Sequence, residues 1–259
     1  MLIPRIMPCL LIDDAAMVKT RRFGKRTYLG DPVNVINLFN RFEVDEIVLL
    51  DISASVNRRS PDFKTIEMVA DECWVPLTYG GGVQSLSDIE TIILSGVEKV
   101  VIGAAATDLS FITEAAKAFG TQCIIGSVDA RPKMFGGYSV RVRSGKQKLN
   151  GTPVERARAL QDAGVGEILL QAIDRDGEMN GYDLELIAAV SAAVEIPVVA
   201  CSGAASRDDL PLPIKAGASA AAAGSLFVFS GQERGVLINF PERAELEHLL
   251  QSNSQRPPN

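Results

Sequence analysis

Pro76-Leu77-Thr78-Tyr79-Gly80-Gly81-Gly82-Val83-Gln84-Ser85 reads as one strand, one glycine turn and one helix cap in succession. The apolar run from Pro76 to Tyr79 is a short buried strand. The three glycines let backbone N–H groups approach an anion, and Ser85 supplies the cap of a following helix. The same unit recurs along the chain. Arg5–Ile12, Glu46–Asp51, Lys99–Gly103, Gln122–Asp129, Glu167–Ile173, Pro197–Ser202 and Ser219–Ala223 are the other strand candidates. Helix starts are legible at Asp31-Pro32 and at Thr152-Pro153-Val154-Glu155, a capping box with proline at the first helical position. Gly96, Gly120, Gly164 and Gly217 fall where helices should end.

Strands without strict alternation belong to a parallel sheet covered on both faces. Eight such βα units in 259 residues predict a single (β/α)8 barrel over residues 1–250, followed by a polar, disordered tail over 251–259. An open doubly wound sheet would carry GxGxxG after its first strand, and none is present. The chain also repeats itself at an offset of about 122 residues. Tyr79-Gly80-Gly81-Gly82 returns weakly as Cys201-Ser202-Gly203-Ala204, and Ile102-Gly103-Ala104-Ala105 as Ala223-Gly224-Ser225-Leu226. Leu49-Leu50-Asp51 has its counterpart in Ile173-Asp174-Arg175-Asp176-Gly177. A duplicated half-barrel gives that spacing, because each half places equivalent loops on one rim.

Composition removes several functions. With 26 Lys+Arg against 32 Asp+Glu and 6% aromatics, nucleic acid is not an expected partner. The longest weakly charged stretch, Ile187 to Ala205, carries Glu195 and Pro197, so no membrane span is expected. Cys9, Cys73, Cys123 and Cys201 form no CxxC pair and read as buried free thiols of a cytoplasmic protein. His248 is the single histidine, which argues against a histidine base or histidine metal cluster. Neither a metal nor a cofactor is expected.

In a barrel of this kind chemistry sits on the loops at the C-terminal ends of the strands. Gly81 and Gly82 form one phosphate cradle there; Gly203, Gly224 and Ser225 form a second. Two cradles on one rim point to a ligand with phosphates at both ends, although a tight turn alone also uses glycine. Asp51, Asp129, Asp174 and Asp176 end strands or open loops on that rim, as proton-transfer groups or as loop caps. Lys19, Arg21, Arg22, Lys25 and Arg26 make the loop after strand one basic, which suits a phosphorylated ligand. On the opposite rim, Arg5, Glu46, Lys99 and Glu167 open strands one, two, four and six with alternating sign. Pointing inward they would close a ring of ion pairs; pointing outward they are ordinary surface charge.

Over nearly its whole length the chain resembles the cyclase subunit of imidazole glycerol phosphate synthase. The resemblance lies in Arg5-Ile6-Met7-Pro8-Cys9-Leu10, Gly30-Asp31-Pro32-Val33, Leu50-Asp51-Ile52, Gly80-Gly81-Gly82-Val83, Phe119-Gly120-Thr121-Gln122, Asp129-Ala130, Gly166-Glu167-Ile168-Leu169-Leu170 and Asp174-Arg175-Asp176-Gly177. It implies a barrel that receives ammonia through its core from a glutaminase subunit on its floor. It also implies that Arg5, Glu46, Lys99 and Glu167 are the ammonia gate, and that Asp129 is one of two catalytic aspartates. The other falls at Leu11, which cannot carry a proton; Asp13 lies about 6.6 Å further along the strand. Gly103-Ala104 and Ser202-Gly203 also depart from the family's pattern. These departures, with Gly224-Ser225-Leu226-Phe227-Val228-Phe229 and Val236-Leu237-Ile238-Asn239-Phe240-Pro241, resemble a diverged branch associated with sugar amidation in surface polysaccharide synthesis. That branch implies an ATP-using amidotransferase as a further partner. A working histidine-pathway cyclase and a stand-alone phosphosugar isomerase are the competing expectations.

Overall fold

The computed structural model of the chain describes residues 4–231 and 233–254. Eight strands form the barrel: β1 (Arg5–Asp13), β2 (Ile47–Asp51), β3 (Leu77–Gly80), β4 (Lys99–Ile102), β5 (Ile124–Pro132), β6 (Glu167–Ala172), β7 (Val198–Cys201) and β8 (Ala220–Ala223). Each is parallel to both neighbours, and the β5–β6 and β8–β1 pairings close the sheet. The principal helix after each strand is α1 (Pro32–Arg41), α2 (Phe63–Glu72), α3 (Leu86–Leu94), α4 (Leu109–Phe119), α5 (Pro153–Ala163), α6 (Leu184–Ser191), α7 (Pro211–Lys215) and α8 (Arg243–Ser254). The expected (β/α)8 barrel is the observed fold.

Local chemistry sets the helix ends. The Asp31 side chain accepts from the Asn34 N–H ahead of Pro32, and Thr152 and Glu155 cap α5 reciprocally. Ser85 and Asp88 do the same for α3. Gly164 ends α5 in the left-handed region. Helix α8 runs four residues beyond the expected tail boundary, and 255–259 lies outside the described residues.

Alternation along the strands makes two cores. Ile6, Leu10, Ile12, Ile47 and Leu49 pack outward under the helices. Met7, Cys9, Leu11, Val48, Leu50, Val101, Ile125, Leu169, Val199 and Cys201 fill the interior. Burial of each large aliphatic contributes about 1.5–3 kcal/mol, so the two layers together dominate stability. The basic segment after β1, expected as a loop, is instead an antiparallel hairpin of Ala16–Thr20 and Arg26–Gly30. A second hairpin, Tyr138–Val142 with Gln147–Lys148, extends β5 above the barrel. Both lie at the C-terminal rim. The second is encoded by the short alternating run Ser139-Val140-Arg141-Val142-Arg143, outside the eight strand candidates.

Candidate functional site

At the barrel floor the four charges point inward and meet. Arg5 bonds to Glu46 (2.6 Å) and to Glu167, and Lys99 bonds to both Glu46 oxygens (3.0 and 2.8 Å). Lys99 Nζ lies 3.8 Å from Glu167, closing the ring, and Thr78 Oγ1 donates to Glu46 (2.6 Å). Burial opposes the Glu46 charge, yet the hydrogen bonds of Lys99 and Thr78 outweigh it and hold its carboxyl below the ordinary value. Above the ring the barrel interior is apolar, lined by Met7, Val48, Ile125, Leu169 and Val199.

The interior opens at the C-terminal rim into a cavity of about 140 Å³. Asp129, near the end of β5, forms part of its wall. Its Oδ1 accepts from Ser127 Oγ (2.8 Å) and Gln171 Nε2 (3.1 Å). Burial pushes its pKa up to about 6 against those hydrogen bonds, which suits a group that exchanges protons near neutral pH. The other carboxylates are committed. Asp51 Oδ1 accepts from the Ser53 N–H, the Ser53 hydroxyl and the Ala54 N–H, so it caps its own loop while lining the cavity. Asp176 is ion-paired with buried Lys19 (2.5 Å) and accepts from Thr20 Oγ1 (2.6 Å). Asp174 pairs with Arg131 (3.3 Å) instead of facing the cavity.

The glycine turns are built for close approach. Gly81 has φ +125°, and a Cβ there would lie 2.4 Å from the Asp51 carbonyl oxygen. Gly203 has φ +110°, and a Cβ there would lie 2.2 Å from the Gly181 carbonyl oxygen. The two positions with this shared constraint are separated by the offset of the sequence repeat. At the second cradle Gly224 packs on the Lys19 side chain, while the buried hydroxyls of Ser202 and Ser225 have no partner within the described residues. Among the expected cradle residues Gly81, Gly203, Gly224 and Ser225 line the cavity, whereas Gly82 does not. It stands behind the cavity wall, where its N–H donates to Ser55 Oγ (3.1 Å).

Leu11 is buried in the cavity wall, paired across the sheet with Val18 and Leu50. Asp13 ion-pairs with Arg26 and does not line the cavity. Beneath the rim, Cys9 and Cys201 are buried; their mutual hydrogen bond and burial push the Cys9 pKa well up, keeping that thiol neutral. Cys73 and Cys123 are only partly buried, so the expectation of four buried thiols holds for two. Among the described residues no cluster of three metal-ligating side chains occurs, and no helix is long and apolar enough to cross a membrane. Missed by sequence reading were Ser127 and Gln171 around Asp129, and Arg141, Arg143 and Lys146 of the second hairpin, all lining the cavity.

The sequence profile of the family described as "Histidine biosynthesis protein" matches residues 5–233. A protein of Pseudomonas aeruginosa, provisionally named imidazole glycerol phosphate synthase subunit hisF2, is 47% identical, with 94% of this chain and 98% of the relative covered. The chain belongs to the HisF family. A Leptospira interrogans relative with the provisional name imidazole glycerol phosphate synthase subunit HisF is 39% identical over 96% of this chain and all of the relative. The Streptomyces avermitilis imidazole glycerol phosphate synthase subunit HisF is 38% identical over 87% of this chain and 90% of the relative. The match to the histidine biosynthesis family begins at Arg5 of the charged ring and extends past Ser225 of the second cradle, so floor and cavity both lie within it.

Proposed function

We propose that this HisF-family barrel receives ammonia from a glutaminase subunit on its N-terminal face and delivers it to a phosphorylated sugar acceptor in the upper cavity. The ammonia serves glycosyl amidation of that acceptor, which a separate ATP-using amidotransferase activates. The observation that carries this reading is the contrast between the two ends of the barrel. The floor keeps all four ring charges in contact, whereas the mouth has Leu11 where the resembled cyclases carry an acid, with Asp13 tied to Arg26. One uncommitted carboxylate, Asp129, is left in a wall that needs two for acid–base cyclisation.

The partner face also has a suitable surface. Phe42, Trp74 and Leu94 are exposed just before β2, β3 and β4, on the ring's side of the barrel. Large apolar groups on one face are what a protein partner covers. The barrel interior between ring and cavity is apolar and holds the neutral Cys9 thiol, so uncharged ammonia meets no fixed charge there. At the mouth, the orphaned hydroxyls of Ser202 and Ser225 and the glycines beside them suit a phosphate oxygen.

The competing reading, a histidine-pathway cyclase, draws on Asp129 with its raised pKa. Incubation with ammonium salt and the pathway's bisphosphate ribonucleotide separates the two without any partner. Amidation predicts no turnover by the folded protein; turnover would overturn it and establish cyclisation. A glutaminase that co-purifies and is stimulated by the barrel would remove the stand-alone isomerase.

A further inference from the structure

The second hairpin presents three cations to the cavity: Arg141, Arg143 and Lys146. Every other Lys or Arg of the cavity wall has a carboxylate, Lys19 through Asp176 and Arg26 through Asp13. These three have no ion pair within the described residues. Arg141 stands directly opposite Asp129 in the strand register, which places the two side chains on one face. Even so, Asp129 takes its hydrogen bonds from Ser127 and Gln171. The Arg141 Nε is buried with no acceptor. A buried, unsatisfied guanidinium N–H is a costly feature unless a ligand supplies the oxygen.

The hairpin is held in position for that role. Arg143 and Ser144 make its turn in the left-handed region (φ +55° and +52°), and the Lys146 N–H closes it on the Arg143 carbonyl. Ser144 Oγ then donates to the Ile52 carbonyl (2.7 Å), strapping the turn to the loop after β2. The backbone that carries Arg141 and Arg143 is therefore fixed on the β5 side of the mouth, with Arg141 opposite Asp129 and apart from the glycine turns that follow β3, β7 and β8.

We infer that Arg141 and Arg143 form a further anion subsite, which takes a carboxylate or phosphate on the part of the ligand nearest Asp129. This deepens the proposed function and rests on it for the sugar phosphate: the acceptor carries a second acidic group close to its reacting end. Guanidinium forks match either oxyanion, and a charge-assisted pair of this kind strengthens binding by about tenfold or more.

Three probes test it by calorimetric titration of the full chain. Glucose 1-phosphate offers one anion, glucuronic acid 1-phosphate adds a carboxylate, and glucose 1,6-bisphosphate adds a phosphate. At least one doubly acidic probe is expected to bind about tenfold more tightly than glucose 1-phosphate. In the Arg141→Gln/Arg143→Gln variant that advantage should disappear, with Arg143→Gln alone giving a partial loss should the double variant fold poorly. No advantage in the wild type, or an advantage that survives both substitutions, overturns the subsite. The two readings fail separately. If glucose 1-phosphate binds and no second acid helps, the subsite is wrong and the phosphate cradles stand. If a doubly acidic probe binds through the arginines while glucose 1-phosphate does not bind at all, the cradles are wrong and the subsite stands.

Discussion

Arg26 ion-pairs with Asp13, two residues beyond Leu11 on the same strand, and so occupies the carboxylate that would otherwise be the nearest substitute for an acid at position 11. The relationship decides how the mouth can be repaired. Leu11 is 6% exposed, packed with Val18 and Leu50 in the interior core. Leu11→Asp therefore removes apolar burial and places a carboxyl in a poorly hydrated wall, at about 2–4 kcal/mol of stability. A lower melting temperature with retained circular dichroism is expected. If the variant then turns over the histidine-pathway ribonucleotide with ammonium, position 11 is the principal loss; if it folds and stays inactive, the altered loops contribute as well.

Asp129→Asn should stabilise the protein above neutrality and not in acid. The Asp129 pKa is raised to about 6, chiefly by burial, so the folded state binds this proton more tightly than the unfolded chain does. Ionisation then works against folding, and stability falls as pH rises through the window between the ordinary aspartate value and about 6. Asparagine keeps the acceptor for Ser127 and removes the buried charge. The expected gain is about 3 kcal/mol at pH 8 and close to nothing at pH 4, read from denaturant midpoints. An equal gain at both pH values would mean that Asp129 is not ionised at the cost proposed.

Gly81→Ala should abolish phosphate binding and destabilise the fold. The new methyl would sit 2.4 Å from the Asp51 carbonyl oxygen at a φ of +125°, so contact and backbone strain add. A loss of at least about 2 kcal/mol is expected. Gly203→Ala meets the Gly181 carbonyl in the same way and should behave alike, as the half-barrel relation requires. Titration with inorganic phosphate and thermal melting check both. A variant that binds phosphate as well as the wild type would exclude its turn as a cradle.

The barrel was legible because its determinants are local: short apolar runs, proline and capping residues at helix starts, glycines at helix ends. The inward direction of Arg5, Glu46, Lys99 and Glu167 was not, because period-2 alternation in a strand buried on both faces gives no polar side to orient it. The family resemblance supplied what the pattern lacked. Asp129 was readable as a strand-end acid, but Ser127 and Gln171, which hold it, are unremarkable residues in sequence and meet only when β5 and β6 pair. Arg141 and Arg143 were passed over for a different reason. Their alternating run was visible, yet its direction depends on the Asp129 register, which is a tertiary fact.

Lys99→Ala offers the sharpest test of the floor. Lys99 supplies two of the hydrogen bonds that offset the burial of Glu46, leaving only Arg5 and Thr78 in the variant. Removing one partner of a buried pair costs about 3 kcal/mol, and Lys99→Met separates that charge effect from loss of the aliphatic stem. The pH dependence follows from the Glu46 shift. Its carboxyl is held below the ordinary value, so its contribution is complete above the unfolded pKa and lost as pH falls through the folded one. In Lys99→Ala that loss should begin at higher pH. In complex with the glutaminase, both variants should still hydrolyse glutamine while less of the nitrogen reaches the acceptor and more escapes as free ammonia. A nitrogen balance measured with labelled glutamine decides it: unchanged transfer in a folded variant would mean that the ring braces the barrel and does not gate ammonia.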